Sequence, residues 1–189
     1  MTPRPARETV AFVQSELTYA IVPAGPADAA ELARVHVQSW RESYAGILPG
    51  DYLDRMSAPL HARRWRTRLM RMNEVTLVAE NQSGLVAYAS GQLSRSGDPF
   101  EAEVTTLYVL RSAQNIGLGR LLLTGVARAL AERGALSMVI WVLRENLAAQ
   151  GFYEHLGGEP AEGREENVGG APATTVAYRW DDIGVLMGG

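Results

Sequence analysis

Between a β-prone run that ends near Leu110 and a helical pattern that opens near Arg120 lies the hexapeptide QNIGLG, residues 114–119. Gly117 and Gly119 allow the backbone to turn tightly and to present successive N–H groups. The helix behind them points its positive end at the same place. Together these features make a phosphate cradle, to which Arg120 and Arg111 add fixed positive charge. The plain alternative is a strand-to-helix turn whose glycines meet steric needs only. Two nucleotide readings fail: the run GLGRLL lacks the third glycine of a dinucleotide fingerprint, and no Gly-Lys-Ser/Thr ending of a Walker A loop is present. Glu103 opens the run before the turn, and alternation places it on one face with Thr105, Leu107 and Val109. On an earlier helix His36, Trp40 and Tyr44 recur at i, i+4, i+8, as either the wall of a binding site or a stripe facing the core.

Other chemistries are excluded by composition. There is no cysteine, which removes disulfides, thiolate metal sites and a cysteine nucleophile. The three histidines, His36, His61 and His155, are not at metal-ligand spacing, so no metal is expected. A net charge of −3 carries no broad nucleic-acid footprint. The arginine-rich run 62–72 reads as a solvated helix face or as an attractor for an acidic ligand. No apolar run reaches the roughly 18 residues of a membrane helix, and the N-terminus lacks a signal-peptide core, so no membrane partner and a cytoplasmic location are expected.

The elements that must position these residues form one domain over 18–189, after an N-terminal extension at 1–17. The patterning predicts a strand over 17–22, a helix from Ala29 to about Tyr44 capped by Asp28, and a short helix at 51–56. A third helix runs from Pro59 to about Met72. Strands follow at 74–80 and 85–93 around the turn NQSG, and a third at 101–110. Gly91 within the second marks a bulge or a close backbone approach. A helix spans 120–133, with Leu122, Leu123, Val126 and Leu130 inward and Gly134 as its stop. The nearly all-apolar strand 136–143 suits burial on both faces. A helix at 147–155 and two strands around NVGGAP complete the chain.

In this frame the sequence resembles the GNAT superfamily of acyl-CoA N-acyltransferases. Gln114, Gly117 and Gly119 match the family's Gln/Arg-x-x-Gly-x-Gly/Ala motif, set directly after a strand and opening a helix. LRENLAAQGFYEHLG (143–157) is similar to a second signature, through Asn146, Phe152, Tyr153 and Glu154. The matching core covers about 74–158. HVQSWRESYAGILPGDYLDRMS (36–57) looks like one bacterial subgroup, and TTVAYRWDDI (174–183) also fits. Two positions depart from the pattern: Arg111 stands where proline is common, and Gly158 where phenylalanine is frequent, which implies looser packing after the helix.

The resemblance implies an α+β fold. Its mixed, mostly antiparallel sheet has six to seven strands flanked by helices, with a central βαβ unit and two splayed parallel strands. It implies acetyl-CoA as acyl donor and direct attack by a primary amine of a small molecule or peptide. Backbone groups of Leu107, Tyr108 and Val109 would pair with pantetheine, the Val109 N–H polarising the thioester. Gln114 and the amides of Asn115, Ile116, Gly117, Leu118, Gly119 and Arg120 would hold the pyrophosphate, with Asn146 nearby. Tyr153 resembles the general acid and Glu103 a base-like carboxylate, while His36, Trp40 and Tyr44 would face the acceptor. The corresponding bland readings are a core tyrosine and a solvated edge carboxylate. The family also suggests a homodimer through the C-terminal strands. A different class, an acyl-CoA-binding regulatory module without turnover, would keep the glycine turn but need neither Tyr153 nor a base.

Overall fold

The computed structural model describes residues 10–14, 17–95 and 98–188. Strands β1 (Val10–Gln14) and β2 (Leu17–Pro23) form an antiparallel hairpin, so part of the expected extension is an edge of the sheet. Helices α1 (Ala29–Tyr44), α2 (Gly50–Arg55) and α3 (Ala58–Arg68) follow. The meander β3 (Glu74–Asn81), β4 (Gly84–Leu93) and β5 (Ala102–Val109) leads into α4 (Leu118–Ala131) and β6 (Met138–Leu143). Then come α5 (Leu147–His155) and the hairpin β7 (Glu159–Val168) and β8 (Ala171–Trp180). Among the described residues the sheet has eight strands in the order β1-β2-β3-β4-β5-β6-β8-β7, the added member being β1. Only β5 and β6 are parallel, as expected for two strands joined through a crossover helix.

Each face of the sheet has its own core. The inward positions read from the sequence, Leu122, Leu123, Val126 and Leu130, are fully buried on α4 against Ala87, Ala89, Val104 and Ile140. Amphipathic spacing on α1 buries Leu32, Ala33 and Val35 against Val78, Leu85 and Tyr88 on the opposite face, with Trp65 from α3. The crowding expected at Gly91 is real. A Cβ there would lie 2.7 Å from Val126 Cγ1, 3.0 Å from Leu130 Cδ1 and 3.2 Å from the Glu103 carbonyl oxygen. Gly91→Ala is therefore expected to lower stability by about 1–3 kcal/mol through overpacking. A urea midpoint equal to wild type would disprove this.

Local details differ from the sequence expectations for identifiable reasons. Helix α3 ends at Arg68 rather than Met72 because the backbone tightens into i→i+3 turns, Met70 N–H to the Thr67 oxygen at 3.3 Å and Arg71 N–H to the Arg68 oxygen at 3.0 Å, while the Arg68 guanidinium reaches Glu74 of β3 and Thr105 of β5. Asp28 precedes α1 but its carboxylate does not cap that helix. It accepts the Gly25 N–H at 2.8 Å and closes a single 3-10 turn. The packing around Gly158 is not loose: a Cβ would meet Trp180 Cζ2 at 2.7 Å and the Tyr153 carbonyl oxygen at 3.0 Å. The indole of Trp180 fills the space.

Candidate active site

Strands β5 and β6 stay together for only three pairs, Ala102 with Met138, Glu103 with Val139 and Val104 with Ile140. Beyond them the strands part. The cause lies on the other side of β5. Ser90 pairs with Thr106 and Gly91 with Val104, which leaves Thr105 as an extra residue, a bulge that bends the strand. The Thr105 hydroxyl donates to the Ser90 carbonyl at 3.3 Å and receives the Arg68 guanidinium, so the bulge is fastened to α3.

The freed edge of β5 is polar. Leu110 N–H donates to the Val86 carbonyl at 2.9 Å, which makes Val86 and Leu110 a hydrogen-bonded pair. Antiparallel alternation then directs the main-chain groups of Tyr108 toward β4 and those of Leu107 and Val109 toward the gap. A cleft of about 780 Å³ occupies the gap. Thr105 to Val109 line one side and Ile140, Trp141 and Val142 the other, with Phe152 and Tyr153 of α5 beside them.

One end of the cleft is the turn before α4. Asn115 and Gly117 both have positive φ, +61° and +88°. The first intrahelical bond is Leu121 N–H to Gly117 O at 3.1 Å, so the amides of Leu118, Gly119 and Arg120 belong to the open first turn. Gly119 lets Phe152 approach, since a Cβ there would be 3.1 Å from its ring. Acetyl-CoA, with a pantetheine amide chain and a diphosphate, fits these donors: an unpaired strand edge leads to an array of N–H groups at a helix N-terminus.

A family model for the acetyltransferase (GNAT) family matches residues 37–158. The chain belongs to the GNAT family. It is 30% identical over 161 residues to the uncharacterized N-acetyltransferase YuaI of Bacillus subtilis, covering 84% of this chain and 91% of that protein. It is also 30% identical over 138 residues to the probable N-acetyltransferase Rv2775 of Mycobacterium tuberculosis, covering 69% and 74%. Among solved structures it resembles the PaiA N-acetyltransferase of Thermoplasma acidophilum in complex with coenzyme A, at TM-score 0.63 and 20% identity over 84% of this chain and 97% of that one. The yncA acetyltransferase of Salmonella typhimurium with acetyl-CoA aligns at TM-score 0.64 and 23% identity, covering 86% and 92%.

In this GNAT chain the structure brings most of the sequence-selected residues together, with several changes of detail. Gln114, Asn115, Gly117, Gly119, Arg120 and Asn146 line the cleft with Leu107, Tyr108 and Val109. The Gln114 amide donates to the Val109 carbonyl at 3.0 Å, so it finishes the strand edge instead of reaching out as a free donor. Asn146 caps α5, its side chain accepting from Ala149 N–H at 3.3 Å. The side chains of Ile116 and Leu118 pack into the core and leave only their main chain for a ligand. Arg111 is tied to α1 through Glu42, its N–H donating to that carboxylate at 2.8 Å.

Tyr153 is 5% exposed and its ring packs on Phe152, Tyr178 and Trp180. Burial, with Tyr44 adding to it, pushes its hydroxyl well above the ordinary tyrosine range, so it stays protonated at neutral pH. Glu103 requires a correction. Alternation fails at the Thr105 bulge: Ala102 and Val104 before it face the α4 core, and so do Leu107 and Val109 after it. Glu103 therefore faces the opposite side from Leu107 and Val109 and does not line the cleft. Burial pushes its carboxyl up, opposed by Arg164.

The three α1 residues separate. Tyr44 lines the cleft and its hydroxyl is 3.0 Å from that of Tyr108. Trp40 packs in an aromatic cluster with Tyr44, Tyr52 and Tyr108. His36 lies deeper. Its Nδ1 is 2.6 Å from the Tyr88 hydroxyl, and its ring centroid is 4.6 Å from that of His61 with the planes tilted by 41°. Burial, then the charges of His61 and Arg68, lower its pKa to about 3. The folded value lies below the ordinary 6.5, so the stability tied to neutral His36 is complete above pH 6.5 and is lost as pH falls toward 3. Thermal or urea unfolding between pH 6.5 and 4.5 is expected to show a loss of about 1 kcal/mol per pH unit from this group. His36→Gln should flatten that slope, and an unchanged slope would refute the assignment.

Sequence reasoning missed Trp141, the one aromatic residue in the strand MVIWVL and a wall of the cleft. Its ring carries the Arg164 guanidinium 3.8 Å from the centroid. An aromatic residue interrupting an aliphatic buried strand was the available signal. No helix among the described residues is long and apolar enough to cross a membrane.

Proposed function

We propose that this GNAT chain transfers an acetyl group from acetyl-CoA to a primary amine by direct attack within a ternary complex. The observation that carries the reading is the parting of β5 from β6, with the main-chain groups of Leu107 and Val109 turned into the gap and the α4 amides at its end. On this reading Leu107 and Val109 hold the pantetheine arm as an added strand would, and the Val109 N–H polarises the thioester carbonyl. The amides from Asn115 to Arg120 hold the diphosphate. Holding both reactants in line supplies much of the acceleration, and no covalent enzyme intermediate is required.

Tyr153, held in its acid form by burial, donates its proton to the departing sulfur and regains one from solvent. The proton released by the amine leaves on the opposite face of the sheet, where Glu103 lies, through intervening water. On this reading the protein works in the cytoplasm. The test is a thermal shift with acetyl-CoA beside thiol release across a panel of amines. The expected result is a shift together with release stimulated by at least one amine. A shift with no release from any amine would favour the regulatory module, and no shift would overturn acyl-CoA binding altogether.

A further inference from the structure

One side chain ties the end of α3 to the fork of the sheet. Val104 and Ile140 are the last residues at which β5 and β6 pair, and the next residue, Thr105, is the added one of the bulge. The Thr105 hydroxyl donates to the Ser90 carbonyl at 3.3 Å, across the bulge, and accepts from Nη2 of Arg68. The same guanidinium donates through Nε to the Glu74 carboxylate, whose side chain is 3% exposed. Its Cζ lies 4.7 Å from the centroid of the Trp65 ring, which is buried in the core under α1. Arg68 is thus held on three sides, by a buried carboxylate, a buried ring and the bulge. Its two donating nitrogens are committed to different strands, β3 and β5, by the fixed fork of a planar group, where a lysine has one nitrogen for both. The Glu74 pair already neutralises the buried carboxylate. The second contact falls on the residue at which β5 leaves β6.

We propose that Arg68 is a positioning residue for acyl-CoA. By holding the Thr105 hydroxyl it fixes the bend of β5, and so the angle at which Leu107 and Val109 present their main-chain groups to the pantetheine arm. The inference rests on the acyl-CoA reading above and adds to it a residue that does not line the cleft. Hydrogen bonds along an added strand weaken steeply once donor and acceptor lose alignment, so a small change in the bend costs affinity for the arm. The diphosphate end is insulated from that change. Its amides open α4, which is seated by its own core stripe of Leu122, Leu123, Val126 and Leu130. Loosening the bend therefore weakens the hold on the arm and spares the nucleotide.

The experiment titrates two ligands calorimetrically: acetyl-CoA, and 3′-phosphoadenosine 5′-diphosphate, which is the nucleotide half of the coenzyme without its arm. The proteins are the wild type, Thr105→Val, Thr105→Ser, Arg68→Lys and the double variant Arg68→Lys/Thr105→Val, with urea unfolding of each. Thr105→Val keeps the shape and loses the hydroxyl, and Thr105→Ser keeps the hydroxyl. Thr105→Val and Arg68→Lys are each expected to raise the acetyl-CoA Kd at least about tenfold, since one charge-assisted hydrogen bond biases the bent edge by that factor or more. Their nucleotide Kd should stay within about threefold of wild type, and Thr105→Ser should stay within about threefold for both ligands. The double variant should bind no more than about threefold worse than the weaker single one, because both changes cut the same link. If Arg68→Lys does not fold, the two Thr105 variants decide the matter alone. A folded Thr105→Val with the wild-type acetyl-CoA Kd overturns the inference. So do equal losses for both ligands, or losses that multiply in the double variant. A wild type that binds no acetyl-CoA is a different result: it removes the acyl-CoA reading, and this inference with it.

Discussion

Replacing Tyr153 by phenylalanine is expected to lower turnover by about 100-fold or more while leaving acetyl-CoA affinity within a factor of two or three. The ring supports the change structurally: it packs on Phe152, Tyr178 and Trp180, and phenylalanine keeps those contacts. Only the hydroxyl is lost. Because burial raises the Tyr153 pKa, the acid form persists through neutral and mildly alkaline pH. Its titration therefore puts no falling limb on the wild-type rate below pH 10. Steady-state kinetics and a binding titration on the same preparation separate the two effects. Turnover equal to wild type would leave Tyr153 as a packing residue and end its assignment as proton donor.

Truncating Trp180 to alanine is expected to cost about 3–5 kcal/mol of stability, the range for removing a large buried aromatic side chain. Trp180 is 2% exposed, and its Nε1 donates to the Leu156 carbonyl at 3.0 Å, just after α5. The indole also fills the space beside Gly158 and meets the edge of Tyr153. The substitution therefore removes a wall of the α5 socket as well as a hydrogen bond. Denaturant unfolding measures the loss, and a change under about 1 kcal/mol would show that the site collapses around the gap. Gly158→Ala should cost less stability in the Trp180→Ala background than in the wild type, because the two positions share one space and their effects are coupled.

That shared space shows where the sequence was legible and where it was not. Element types followed from local patterning: the α4 stripe, the apolar β6 and the glycine stop at Gly134 are short-range signals, and the structure obeys them. Gly158 looked like a loss of packing because its partner, Trp180, is 22 positions away and nothing local links the two. The candidate site was readable at its phosphate end for the same local reason, since the turn and the helix it opens are contiguous. Glu103 was misplaced because alternation assumes an unbroken ladder. The added residue at Thr105 is visible only once β4 is laid beside β5. The place of Trp141 in the cleft wall depends on contacts between distant segments, which no periodicity encodes.

The hydrogen bond from Gln114 to the Val109 oxygen gives the strand edge a polarity. At that position the gap offers a free hydrogen beside an oxygen that already holds one of its two possible partners, so a carbonyl is the better-matched neighbour there. A secondary-amide chain lying there gains most when one of its own oxygens stands opposite Val109. One side chain at the mouth of the turn thus biases where along the edge a thread comes to rest, before any residue touches its reactive end.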